Sequence, residues 1–199
     1  HAVLIGAGAG IAFTLLFLLA GERIYVLLGG KGAALEQAMI YSNAVFFGAA
    51  AIWLTNTLAS VVRGGGNMKV PSMTLLLVAL AQVMLGAGLG FGLASLPRLG
   101  MAGIALGQVL AYAGGAVFLL WYLTSGRGRV RLAWAGFALD RRMFRDILKV
   151  GAVACISPLQ SVLTVLIVTR LVATFSVEAL AGYGIGSRLE FLLIPIAFA

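Results

Sequence analysis

This chain is poor in most of what soluble folding and catalysis draw on. Only 10% of its 199 residues are charged, and just six residues are acidic. Soluble domains average ~25% charged and ~45–50% apolar residues. Here 62% are apolar and the mean hydropathy is +1.08, which excludes an ordinary soluble domain. A single cysteine, Cys155, excludes an intrachain disulfide framework and a cysteine-rich metal site. It lies in an apolar run and reads as a buried small hydrophobe. The single histidine, His1, stands at the first position, so no His-based catalytic or metal set can be assembled. The six acids include no pair on a plausible common site. Gly64-Gly65-Gly66 lacks the Gly-Lys-Ser/Thr ending of a phosphate loop, and no strand precedes it. Neither an enzyme nor a cofactor is expected.

What the chain does have is long apolar runs. Six can be read: Ala2 to Leu28, interrupted by Gly21-Glu22-Arg23; Ala38 to Val62; Val70 to Leu96; Met101 to Leu123; Ile147 to Ala173; and Ala179 to the end. A helix needs ~20 apolar residues to cross a bilayer. Barrel strands would be ~10 residues with strict alternation, which these runs do not show. The expected fold is therefore an all-α integral membrane protein, a polytopic helical bundle in a lipid bilayer. His1 opens directly into an apolar run and Ala199 stops one, so the chain is expected to be an internal piece of a larger protein.

The net charge of +8 would suggest nucleic acid in a soluble protein. Here the cations lie mostly in loops, and membrane topology explains them better; no nucleic-acid partner is expected. Nine fall on one side: Arg63, Lys69, Arg127, Arg129, Arg131, Arg141, Arg142, Arg145 and Lys149. Four fall on the other: Arg23, Lys31, Arg98 and Arg170. Short cytoplasmic loops are enriched in Lys and Arg, so the nine-cation side should face the cytoplasm. The polar island Arg63–Pro71 then lies inside, its glycines serving a tight turn and Pro71 opening the next helix.

The only long polar connection divides the chain. Residues 1–125 form one part, 126–146 a basic cytoplasmic linker, and 147–199 a second part. Gly126 and Gly128 end the fourth run. Asp140 is a candidate N-cap for a short amphipathic surface helix reaching Lys149, with Phe144, Ile147 and Leu148 on one face. Glycines at 86, 88, 90 and 92, and at 103, 107, 114 and 115, allow either close helix packing or bending.

Polar residues inside apolar runs are the candidate transport-path residues, because burying them unpaired is costly. Asn43, Gln82 and Gln108 each serve as an interhelical hydrogen bond or as a ligand. Tyr112 follows Gln108 by four, on the same helical face, and makes that pair a candidate cavity wall. Pro158 is expected to kink the fifth run, acting as a hinge, and Gln160 and Ser161 stand at the kink. They either line a cavity or repair the kink. Arg188 and Glu190 lie about ten residues into the last run, ~15 Å of helix rise, and need partners or water there.

Four motifs, in order, carry a family resemblance. Arg63-Gly64-Gly65-Gly66-Asn67-Met68-Lys69-Val70-Pro71 resembles the loop after the fourth helix of MATE (multidrug and toxic compound extrusion) transporters. Leu96-Pro97-Arg98-Leu99-Gly100-Met101-Ala102-Gly103-Ile104-Ala105 resembles the entry to that family's sixth helix. Ile147-Leu148-Lys149-Val150-Gly151 resembles the start of the seventh, and the stretch from Ala181 to Glu190 resembles the eighth. The resemblance implies twelve helices in two six-helix halves, of which this chain would supply helices three to eight. It implies a monomeric antiporter in the bacterial inner membrane. Such proteins export cationic or amphipathic drugs and metabolites in exchange for H+ or Na+, by alternating access. A lipid-linked saccharide flippase of the same superfamily is the alternative. Two departures bear on coupling. Members coupled to sodium often carry a Glu nine residues after the Gly that matches Gly151, where this chain has Gln160. The fifth helix of the family often carries an Asn–Asp pair, where Gln82 stands without an acid.

Overall fold

The computed structural model describes residues 1–93, 97–126, 128 and 141–197; for 157 and 189–197 only the backbone is described. Among these residues there are eight helices and no strand: α1 Ala2–Leu27, α2 Gly32–Phe47, α3 Ala49–Gly64, α4 Lys69–Phe91, α5 Gly100–Thr124, α6 Arg141–Ala154, α7 Ile156–Val172 and α8 Val177–Ala197. Helices are what apolar runs must form in lipid, where each backbone group needs an internal partner.

Three helices, α1, α4 and α5, are each long and apolar enough to cross a membrane unbroken. Two bent helix pairs pass the same test of length and composition when taken together. α2 and α3 meet at 53° and α6 and α7 at 45°. Counting each bent pair once makes five, and α8 is the last hydrophobic segment. Three expectations are corrected here. Gly21-Glu22-Arg23 does not interrupt α1, because a helix satisfies its own backbone and both charged side chains are exposed. The run from Ala38 to Val62 is not one helix. It starts earlier, at Gly32, and breaks at Gly48. Cys155 is exposed at the α6–α7 break, because few protein neighbours surround this part of the chain. The candidate cap Asp140 lies outside the described residues. The helix that follows runs past 146 to Ala154, so the polar stretch continues directly into the apolar one.

The centre of the fold is the seam between α4 and α5. Gly107 of α5 faces the backbone of Leu85 and Gly86 of α4 so closely that a Cβ there would collide with main-chain atoms. Small residues let membrane helices approach until dispersion and backbone contacts hold them, since lipid supplies no hydrophobic drive between helices. Beside this seam, Leu58, Ala59 and Val62 of α3 bury against Leu119 and Leu123 of α5. Thr55, fully buried on α3, brings its hydroxyl to the carbonyls of Ala51 (2.9 Å) and Tyr112 (2.7 Å), which ties α3 to α5. Thr14 ties α1 to α2 through the Phe46 carbonyl. The outer face is apolar as well: Leu19 is 84% exposed, Phe47 81% and Met84 76%. Such a surface would aggregate in water and is matched to lipid.

The island between α3 and α4 is a compact turn. Gly66 has φ +83°, a left-handed conformation that favours glycine. Asn67 accepts the Val70 N–H through Oδ1 (3.2 Å) and donates through Nδ2 to the Tyr122 hydroxyl at the end of α5 (3.0 Å). Pro71 is buried in the first turn of α4, where its missing N–H costs nothing.

Candidate functional site

A cavity of ≈ 520 Å³ opens where α2, α4, α5 and α8 come together. Each wall follows from its helix. Tyr41 comes from the middle of α2. Gln82 and Gly86 lie one turn apart on α4, and Gln108 and Tyr112 one turn apart on α5. Gly86 is the residue on which α5 packs, so the seam that holds α4 and α5 together also sets two walls of the cavity. Arg188 enters from α8 and is the one charged residue among the described lining. Val83, Phe91 and Ile104 supply the apolar remainder.

One hydrogen bond organises the polar side. The Tyr41 hydroxyl donates to Gln108 Oε1 at 2.6 Å, across 67 residues of sequence. With Oε1 accepting from Tyr41, the Gln108 N–H pair is left as donors. Gln82, Tyr112 and Arg188 add further donors. No carboxylate lines the cavity among the described residues, and none of them forms a cluster of His, Cys, Asp and Glu able to hold a metal.

The candidates from the sequence divide into two groups. Gln82, Gln108, Tyr112 and Arg188 come together in this cavity. Asn43 does not; it is exposed on α2. Gln160 and Ser161 are exposed on α7, outside the described lining. Pro158 sits three residues after the break at Cys155, where the chain turns by 45°. A proline removes a donor and crowds the preceding turn, which accounts for a break at that distance. Glu190 lies on α8 two residues beyond Arg188, and its side chain is outside the described part. Tyr41 is the residue that spacing could not single out. Its partner is on a helix remote in sequence, and its own helix was expected to begin elsewhere.

A second cavity of ≈ 430 Å³ lies between α4 and α5 and is lined almost wholly by apolar side chains such as Leu77, Val78 and Leu110. It offers Thr74, whose hydroxyl is engaged by the Val70 carbonyl (2.8 Å). Nothing in it could orient a polar solute.

Comparisons with known proteins agree with the helical membrane fold. The MatE family model matches residues 1–87. The chain is 26% identical over 180 residues to an FAD transporter of Shewanella oneidensis, covering 89% of this chain and 39% of that protein. It is 24% identical over 184 residues to the multidrug export protein MepA of Staphylococcus aureus, covering 92% of this chain and 40% of that protein. The chain thus spans about 40% of the length of these curated relatives. Among solved structures, a MATE protein in the bent conformation superposes with a TM-score of 0.77 at 22% identity, over 96% of this chain and 42% of the other. An inward-facing multidrug resistance transporter superposes at 0.68 and 24% identity, over 75% of this chain and 33% of the other. These superpositions bear on the fold alone.

Proposed function

We propose that the chain is a member of the MATE family of membrane transporters and works in a secondary active exporter of amphipathic organic molecules. The observation that carries this reading is the cavity between α2, α4, α5 and α8. It combines an apolar, aromatic-bearing wall with a few convergent polar groups at membrane depth, the usual character of a small-molecule site. The relatives' names support an organic cargo: one is a multidrug export protein and one an FAD transporter.

The mechanism would be alternating access. Three walls of the cavity belong to helices packed on one another; the fourth is α8, which packs on α7. Displacing α7 and α8 as a unit would open or close the cavity. Inward movement of H+ or Na+ would favour one arrangement and cargo the other, and the difference in affinity between the two is the coupling. The described lining residues include no carboxylate, and Glu190 is the candidate coupling group within this chain. The expected location is the plasma membrane of a bacterium.

The test is dye efflux from bacteria expressing the whole gene. Efflux should depend on the proton or sodium gradient and stop when both are collapsed. Efflux that persists after both are collapsed would rule the antiport reading out. A deletion strain that accumulates lipid-linked saccharide, without any efflux phenotype, would point to the flippase reading instead.

A further inference from the structure

We infer that the cavity between α2, α4, α5 and α8 selects aromatic cargo carrying a phosphate or carboxylate group, with Arg188 as the anion-binding residue. This rests on the exporter reading and departs from the cationic cargo that the family resemblance implies. Arginine keeps its proton under all physiological conditions. Among the described lining residues, no Asp or Glu neutralises Arg188. A positive charge at membrane depth is expensive unless paired or wetted. A cargo anion would supply that pairing, and the planar guanidinium matches phosphate or carboxylate with two parallel hydrogen bonds. A cationic cargo would instead meet a like charge at Arg188.

The other polar groups favour the same class. Gln82 and Gln108 bring amide N–H donors and Tyr112 a hydroxyl. The Tyr41 hydroxyl is already given to Gln108 Oε1, which occupies that acceptor oxygen. These donors share the cavity with Arg188. Phe91, Val83 and Ile104 add apolar surface suited to a planar ring, and ≈ 520 Å³ is room for a fused-ring compound.

The experiment uses the whole protein carrying this chain, purified into lipid nanodiscs and titrated with riboflavin 5′-phosphate and with riboflavin. The two share one ring system and differ by the phosphate. The wild type should bind the phosphate form at least ~10-fold more tightly, the scale of one charge-assisted interaction. Arg188→Gln should abolish that difference while keeping riboflavin binding, which also reports an intact cavity. Arg188→Lys should keep part of it. Equal binding of both ligands by the wild type would overturn the proposal, as would tighter binding of cationic ethidium than of riboflavin phosphate. An unchanged preference in Arg188→Gln would overturn it too. Should Arg188→Gln fail to fold, an undiminished preference in Arg188→Lys at both low and high salt would overturn it. The exporter reading fails separately: gradient-driven flux would be absent from proteoliposomes although the phosphate preference persisted.

Discussion

Helices α1–α5 and helices α7 and α8 are built from similar apolar sequence, while α6 is more polar; the regions α1–α5 and α6–α8 are held in different ways. In the first region, α4 and α5 meet at glycines, α3 buries leucines against α5, and Thr14 and the buried Thr55 bridge neighbouring helices. In the second, no described residue is buried; α6 packs on α7 and α7 on α8. The two regions touch at opposite ends of the bundle. At one end Arg170 of α7 donates to the Leu27 carbonyl at the C-terminus of α1 (2.6 Å), and Ala173 lies beside Gly29. At the other, the His1 and Phe144 rings meet edge to face at 4.8 Å. Arg188 of α8 also joins residues of α2, α4 and α5 in lining the cavity. Apolar composition therefore does not decide which helices form a tight bundle. Small residues and shared hydrogen bonds do, because helices in lipid gain nothing from hydrophobicity against one another.

The largest effect should come from breaking the tight region. Gly107→Ala places a methyl against the α4 backbone, which cannot yield as a side chain would, and should cost about 1–3 kcal/mol. Gly184→Ala on α8 meets nothing within 4 Å and should leave stability unchanged. Thermal unfolding in detergent, followed by size-exclusion chromatography, distinguishes them. Equal losses for both would abolish the contrast between the two regions.

In the loosely held region the expected effect is on transport. Glu190→Gln should lower gradient-driven transport without lowering the amount of protein in the membrane. Wild-type rates in that variant would remove Glu190 from the coupling scheme.

A smaller effect belongs to the hydrogen bonds between helices. Thr55→Val keeps the shape and removes the hydroxyl that reaches the Tyr112 carbonyl. The expected loss is about 0.6 kcal/mol, the mean for such bonds in membrane proteins. A melting temperature indistinguishable from wild type would show that packing alone joins α3 to α5.

The smallest effect concerns the contact between regions. Arg170→Gln removes a charged donor from the end of α1, at an exposed site where such a bond contributes little to stability. It should nevertheless loosen that end. With Cys155 replaced by Ser, a cysteine introduced at Ala173 should react faster with a water-soluble thiol reagent in the Arg170→Gln background. Equal rates would mean that other contacts keep the end closed.

Much of this was legible in the residues. The helices end close to where the apolar runs end, and the Arg63–Pro71 island is the tight turn its glycines suggested. Gln108 and Tyr112, picked out by their spacing of four, line one wall together. What could not be read was the break at Gly48, the exposure of Cys155 and the role of Tyr41. Each depends on what stands beside the helix, and one helix's sequence says nothing of its neighbour.

The sequence by itself determined that the chain is helical, that it belongs in a bilayer and that Arg63–Pro71 is a turn. Those properties rest on hydropathy and on local backbone preferences, which act over a few residues. Only the tertiary structure decided that Tyr41 binds Gln108 and that Arg188 reaches the same cavity from α8. It also decided that Asn43 and Gln160 stay outside. In lipid, the choice of partner is made by close fit and by single hydrogen bonds, and these exist only once the helices have met.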